Sequence, residues 1–86
     1  MDEKKQIGKI IHFYPKISVA IIELTDNLKI GDKISIEGHG NAVEQVVESM
    51  QIEYKSIEEA KAGDAVGLKT SQPVKEKDAV YKVIST

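Results

Sequence analysis

The sequence predicts an all-β fold, a small six- to seven-stranded antiparallel β-barrel with Greek-key-like connections. Short runs rich in β-branched residues recur along the 86 residues, at the spacing typical of small β-barrels. Two Gly-Asp pairs, Gly31-Asp32 and Gly63-Asp64, each stand directly before such a run. Closure into a barrel would also cover the edges that valine- and isoleucine-rich strands otherwise expose.

Size and composition limit the classes of function. With 41% hydrophobic and 30% charged residues, the chain fits one folded domain, 1–86, in which we expect residues 1–5 to be disordered. It has no cysteine, which removes disulfide and thiolate chemistry. No apolar run approaches the roughly 18 residues that cross a bilayer, and no apolar segment follows the charged start. We therefore expect a cytoplasmic protein without a membrane partner.

The basic residues are all lysines, twelve of them, and the net charge is −2. Arginine binds phosphate and guanine with a planar, two-point fork, whereas lysine offers only a point charge. Duplex DNA binding depends on neutralising phosphates. The composition therefore argues against duplex DNA as a partner and leaves weak contact with single-stranded RNA open.

The N-terminal third predicts two strands with apolar residues on both faces. In the first, 6–14, strict alternation groups Ile7, Ile11 and Phe13 on one face and Ile10 and Tyr14 on the other. Pro15-Lys16 predicts a turn, because proline fixes φ and has no N–H to donate. The second strand, 17–25, is dense in β-branched residues, and we place Ile21 in the core.

The middle of the chain leaves two structures open. After the alternating run 33–37, residues 38–41 predict a loop. Over 42–51, apolar residues recur at i, i+3, i+4 and i+7, and Asn41 suits a helix N-cap, a pattern that slightly favours a helix. The valine density and the continuation through Ile52 and Tyr54 instead fit a long strand with a bulge near 48–49.

The remaining residues predict one helical turn and two strands. Ser56 to Glu59 forms a candidate capping box, and Gly63 stands where a glycine would end a short helix, so a helical turn is predicted near 56–62. Strands are predicted at 65–70 and 79–84 on either side of a charged turn at 75–78.

The Gly-Asp pairs have a simple physical basis. Glycine allows a positive φ, and the aspartate side chain can then accept hydrogen bonds from nearby main-chain N–H groups. We therefore assign Gly31, Asp32 and Gly63 to structural turns. Gly67 joins this structural set, since a glycine inside a strand marks a bulge or a close approach of the backbone.

Several segments together resemble a known family, the β-barrel that follows the GTPase domain in elongation factor Tu. The segments are IGKIIHFY, SVAIIELT, LKIGDKISIEG, VESMQI and EEAKAGDAVGL. Corners of the type Lys-x-Gly-Asp and Ala-Gly-(Asp/Glu)-x-Val-Gly, here at 29–32 and 62–67, carry the resemblance, which covers about residues 7–83. It implies a strand over 42–51. It also implies a non-catalytic binding module that contacts RNA, tRNA or the ribosome. The phosphate-cradling loop of the GTPases is absent from the sequence, so we expect no GTP.

Candidate ligand-binding residues come from two sources. The resemblance implies a pocket for the end of tRNA bordered by Asp64, with Lys29 and Lys69 nearby. The residues themselves offer an aromatic and cationic cluster on which a base could stack, made of His12, Phe13, Tyr14 and Lys16. Alternation puts Phe13 on the opposite face from Tyr14, which favours core packing for one of the two rings.

No residue pattern indicates catalysis. Asp32 and Asp64 already have a sufficient role in turns, and the serines lack a nucleophile-elbow pattern. A metal site needs three or four convergent ligands, whereas His12 and His39 are the only histidines. We therefore expect no enzyme, metal or cofactor. Two alternatives to the RNA-binding module are a protein–protein adaptor that partners a separately encoded enzyme and an oligomeric structural protein.

Overall fold

The computed structural model describes residues 2–38 and 40–85, and all regular structure in that part of the chain is β. The strands are β1 (Asp2–Tyr14), β2 (Val19–Leu24), β3 (Leu28–Lys29), β4 (Lys33–Gly38), β5 (Asn41–Val46), β6 (Met50–Ile52), β7 (Lys55–Ile57), β8 (Glu59–Ala60), β9 (Ala65–Lys69) and β10 (Ala79–Ser85). None of the described residues belongs to a helix that could span a membrane. The all-β prediction is confirmed.

Eight strands form one sheet, in the order β5-β4-β10-β1-β2-β9-β6-β7, and β3 pairs with β8 in a second, two-stranded sheet. All the pairings are antiparallel. At the centre of the large sheet, β1 pairs with both β2 and β10. Its pairing with β10 places the first and last strands side by side. The strands β5 and β7 lie at its edges.

A side chain ties the edge strand β5 back to the end of β9. The Gln45 amide donates from Nε2 to the Lys69 carbonyl and accepts at Oε1 from the Ser71 N–H, both at 2.8 Å. These two hydrogen bonds link β5 to the end of β9, although the two strands are not hydrogen-bonded neighbours in the sheet. The sheet curls strongly, but neither a closed barrel nor the translation-factor type of barrel is confirmed.

The long strand β1 contains two register shifts, one in its pairing with β10 and one in its pairing with β2. A bulge adds one residue and so reverses the face to which the following side chains point. Ile7 and Ile10 are consequently both in the core, at 0% and 1% exposure, while Ile11 is 38% exposed. The predicted grouping of Ile7 with Ile11 is wrong, since it assumed strict alternation.

The core lies on the inner face of the curled sheet. Its most deeply buried large side chains are Ile7, Ile10, Ile22, Leu24, Leu28, Ile34, Ile36, Val47, Met50, Val66, Leu68 and Val80. In β2 the alternation puts Ala20, Ile22 and Leu24 inside. Ile21 points to the other face and is only half-buried, so its predicted place in the core is wrong. Phe13 packs against the core.

Three corners of one geometry each lead into a strand. In each, an aspartate Oδ2 accepts the main-chain N–H of the lysine three residues earlier, and the aspartate N–H donates to that lysine's carbonyl. The corners are Lys29–Asp32, Lys61–Asp64 and Lys75–Asp78, with carboxylate distances of 3.0, 3.0 and 2.9 Å. Their third residue has positive φ: +97° at Gly31, +94° at Gly63 and +76° at Lys77. The third corner was predicted only as a charged turn, because lysine occupies the position of the glycine.

The helical turn predicted near 56–62 is wrong. Residues 55–57 form β7, with Ser56 opposite Gln51 of β6, and residues 59–60 form β8 against β3. Strand pairing thus uses the main-chain groups that a helical turn would have needed. The positive φ of Gly63 serves the corner before β9 and does not end a helix.

Three other expectations concern residues 42–51, residues 1–5 and Gly67. Residues 41–46 and 50–52 are two strands separated by 47–49, and they lie far apart in the order of the large sheet. The helix alternative over 42–51 is therefore wrong, and the single long strand with a bulge is wrong as well, although the segment is β. Residues 2–5, predicted to be disordered, pair with β10; residue 1 lies outside the described range. Gly67 lies in the middle of β9, at neither a turn nor a bulge.

Candidate functional site: an apolar surface on the outer face of the sheet

The pairing of β1, β2 and β9 aligns residues in rows across the sheet. His12, Ile21 and Gly67 form one row, and Tyr14, Val19 and Lys69 form another. Side chains alternate between faces along a strand. Since Ala20 and Ile22 of β2 face the core, the side chains of Val19 and Ile21 lie on the outer face.

A shallow depression occupies this outer face. It is lined by Tyr14, Ile17, Val19, Ile21, Gln51, Glu53, Tyr54, Ala65 and Gly67, and we call these residues the apolar surface. Glu53 is the single charged residue in the set. Gly67 deepens it: a Cβ there would lie 3.5 Å from Val19 and 3.6 Å from Ile21, so the position has room for a methyl group that it does not carry.

Large apolar side chains in this set are freely accessible. Tyr14 is 46% exposed, Ile17 61% and Tyr54 98%. Isolated exposed apolar residues are ordinary on protein surfaces, but a contiguous group is typical of an interaction site. Tyrosine is also among the residues that contribute most to protein–protein binding.

The hairpin that carries Tyr54 has an unfavourable backbone. Ile52 pairs with Lys55, so Glu53 and Tyr54 alone make the turn, with φ of +50° and +66°. Two-residue hairpin turns with both φ positive strongly prefer Asn-Gly or a similar pair. A bulky residue in this conformation costs roughly 1–3 kcal/mol. The chain therefore holds an almost fully exposed tyrosine in a strained turn beside the depression.

Lysine–carboxylate ion pairs lie elsewhere on the molecule. They join Lys4 to Glu37 at 2.8 Å, Lys5 to Asp26 at 2.6 Å and Lys82 to Asp32 at 3.3 Å. The hydrogen bond between Lys4 and Glu37 lowers the pKa of Glu37 and raises that of Lys4, and the Lys5 ammonium lowers the pKa of Asp26. None of these residues lines the apolar surface. These three ion pairs therefore lie outside the apolar surface.

The residues proposed for ligand binding do not form one site. Asp64 and Lys69 lie at opposite ends of β9, about 16 Å apart at some 3.3 Å per residue, and the Asp64 carboxylate is occupied by the Lys61 N–H. Lys29 pairs with Glu59 in the small sheet, and its own N–H is bound by Asp32.

Two of the proposed residues are in contact. The rings of His12 and Tyr14 meet edge to face with centroids 4.3 Å apart, and His12 Nδ1 lies 3.6 Å from a Glu76 oxygen. Tyr14 alone of the five predicted residues lines the apolar surface. Within 2–38 and 40–85, no three His, Asp or Glu side chains converge as metal ligands would; His39 lies outside the described residues.

Ile17, Ile21 and Tyr54 were missed as surface residues by the sequence reasoning. Ile17 and Ile21 were read as members of an apolar strand, and Tyr54 as the end of another. The available signal was in the sequence around Tyr54, where an aromatic residue stands between Glu53 and Lys55. Such a polar setting is unusual for a core residue, yet nothing local shows that the three side chains meet.

Two relatives in sequence are named as proteases. The chain is 50% identical over 84 residues to an uncharacterized protease of Methanocaldococcus jannaschii, covering 96% of this chain and 21% of that protein. It is 30% identical over 82 residues to a collagenase of Porphyromonas gingivalis, covering 93% of this chain and 23% of that protein. The chain therefore spans only about a fifth of the length of these relatives. No family model matches it.

Solved structures show the same fold. The C-terminal domain of a Geobacillus thermoleovorans protein described as a U32 peptidase superposes with a TM-score of 0.85 over 91% of each chain, at 18% identity. A selenomethionine variant of that domain gives 0.84 over 88% of this chain. The elongation factor interpretation, with its RNA, tRNA or ribosome partners, is therefore wrong, since Gly-Asp corners between short strands occur in more than one β fold. In sequence, the chain is similar to a segment that makes up about a fifth of the length of each of these two proteins, which are named as a protease and a collagenase. In fold, it is similar to the C-terminal domain of a protein described as a U32 peptidase.

Proposed function

We propose that this chain is an accessory protein-binding domain of a U32-type peptidase system, which binds the larger, catalytic part of such a peptidase. The observation that carries the proposal is the 50% identity over 96% of the chain to a segment that makes up 21% of a protease. This is the adaptor alternative of the sequence analysis, with a peptidase as the enzyme partner.

The carboxylates of the corners support a non-catalytic role. Asp32, Asp64 and Asp78 each accept a main-chain N–H at 2.9–3.0 Å. A carboxylate that works as a general base must instead reach a substrate proton within hydrogen-bonding distance. These three side chains are committed to holding strands in place, which is what a scaffold for a binding surface requires.

A chimera tests the proposal. In the Methanocaldococcus jannaschii protease, the matched segment of 84 residues is replaced by this chain, and the melting temperature of the remaining part is compared with that of the parent and of a version lacking the segment. We expect the chimera to melt close to the parent and well above the truncated protein, because a bound domain stabilises the folded state. A chimera that melts like the truncated protein would contradict the proposal.

A further inference from the structure

Three independent features coincide on the apolar surface. Charge is nearly absent from it, aromatic and aliphatic side chains are exposed, and the hairpin turn at Glu53-Tyr54 is strained. Depletion of charge together with exposed tyrosine is typical of the core of a protein–protein interface. Strain that brings no contact within the chain is often found where another molecule is bound.

We propose that the apolar surface is the face that docks on the catalytic part of a U32-type peptidase, with Tyr54 as its anchor. The assignment rests on the proposed function and specifies which side of the domain is used. Ile17, Tyr14 and Ile21 line the same depression as the anchor, and Glu53 is the one charged residue among the lining residues. The three lysine–carboxylate ion pairs lie outside this face and stay in solvent.

The lengths of the relatives identify the occupant. Since this chain spans 21% and 23% of them, a domain like it is tethered there to a body between three and four times its size. Tethering raises the effective concentration of one part near the other, so docking within such a protein needs less intrinsic affinity than binding between separate chains. A second copy of the chain fits less well, because a two-fold contact uses the same patch twice and would bring both Glu53 carboxylates into one apolar interface.

Tyrosine labelling provides a direct readout. Tyr14 and Tyr54 lie on the apolar surface, whereas Tyr81 lies on β10 and serves as an internal control. The free chain and the chimera described above are exposed to hydroxyl radicals, and the modification of each tyrosine is measured by mass spectrometry. We expect Tyr54 labelling to fall at least about fivefold in the chimera, with a smaller fall at Tyr14 and none at Tyr81, because Tyr54 starts 98% exposed.

Paired variants separate docking from folding. Tyr54→Asn removes the ring and keeps a residue that tolerates positive φ, and Ile17→Asp puts a charge on the same surface. Ile30→Asp is the matched control, since Ile30 is 41% exposed but does not line the depression. In the chimera, we expect the first two variants to restore Tyr14 labelling to the level of the free chain and to lower the melting temperature of the larger part. Ile30→Asp should change neither.

The outcomes distinguish the inference from the proposed function. A stabilised chimera in which Tyr54 stays as reactive as in the free chain would overturn the docking face and leave the function standing. A chimera without stabilisation and without protection would overturn both. Tyr54 protection that appears in the free chain as its concentration rises, together with a dimer in analytical ultracentrifugation, would assign the face to a second copy and overturn the proposed occupant.

Discussion

Ile21 and Ile22 are identical in chemistry, adjacent in β2, and opposite in role. Ile22 is fully buried, in a row with Ile10 and Val66, whereas Ile21 lies on the outer face beside Gly67. The inner face of β2 stabilises the fold, and the outer face leaves apolar side chains accessible on the surface that we propose for docking. Apolar residues on both sides of a strand can thus mean a core on one side and an interface on the other, which a sequence pattern does not separate.

The largest effect should separate the two isoleucines. We expect Ile22→Ala to lower the free energy of unfolding by roughly 2–5 kcal/mol, because it leaves a cavity in a closed core. Ile21→Ala should cost only about 1 kcal/mol, since its side chain is half-buried and less apolar area is lost. Urea denaturation of both variants measures this difference. Equal losses would show that the outer face is as much a part of the core as the inner one.

A second pair of variants compares glycines in the two strands that flank β2. A Cβ at Gly8 of β1 would lie 2.5 Å from the Glu23 carbonyl oxygen and 3.0 Å from Ile22 Cγ2. Backbone cannot move away as a flexible side chain can, so Gly8→Ala should destabilise by roughly 1–3 kcal/mol. Gly67→Ala in β9, with contacts of 3.5 Å or longer, should change stability by less than about 0.5 kcal/mol.

The same pair tests the interface. Gly67→Ala adds a methyl group to the floor of the apolar surface, so we expect it to weaken docking in the chimera, read as increased Tyr54 labelling, without loss of stability in the free chain. Gly8→Ala should have the opposite effects: it should lower the stability of the free chain without weakening docking. If Gly67→Ala leaves Tyr54 protection unchanged, the floor of the depression does not contact the partner.

The sequence predicts some features of the fold and of the apolar surface but not others, and the reason is how far apart in the chain the residues of each feature lie. Features set by residues close in the chain, such as the corners at Gly31-Asp32 and Gly63-Asp64, follow from local chemistry. The placement of Ile10 on the same face as Ile7 depends on the register shift in the pairing of β1 with β10, a strand from the other end of the sequence. The apolar surface likewise joins residues from β1, β2, β6 and β9 with turns between them, and only the sheet pairing brings them together.

The corners provide a smaller test, because they belong to neither face. Nothing lies within 4 Å of a Cβ placed at Gly63, and its φ is +94°, so the cost of a side chain there is purely conformational. We expect Gly63→Ala to lower the free energy of unfolding by about 1 kcal/mol, because the left-handed strain that it introduces is partly offset by the lower flexibility of the unfolded chain. Docking should be unaffected at temperatures where the variant is folded. A loss of Tyr54 protection under those conditions would show that the corner positions the outer face of β9.

The smallest expected effect is a gain, at the third corner. Lys77 has a φ of +76° where the other two corners have glycine, and the hydrogen bonds between Lys75 and Asp78 are otherwise the same. Lys77→Gly relieves roughly 1–2 kcal/mol of left-handed strain and adds about 0.5–1 kcal/mol of flexibility to the unfolded chain. We therefore expect a net stabilisation below about 1 kcal/mol, measured as a rise in the urea midpoint at constant slope.

The reciprocal variant Gly63→Lys should lose a similar amount, because it creates at the second corner the strain that Lys77 carries at the third. If Lys77→Gly instead destabilises the protein, the lysine side chain makes a favourable contact that outweighs its backbone strain, and the three corners are not equivalent.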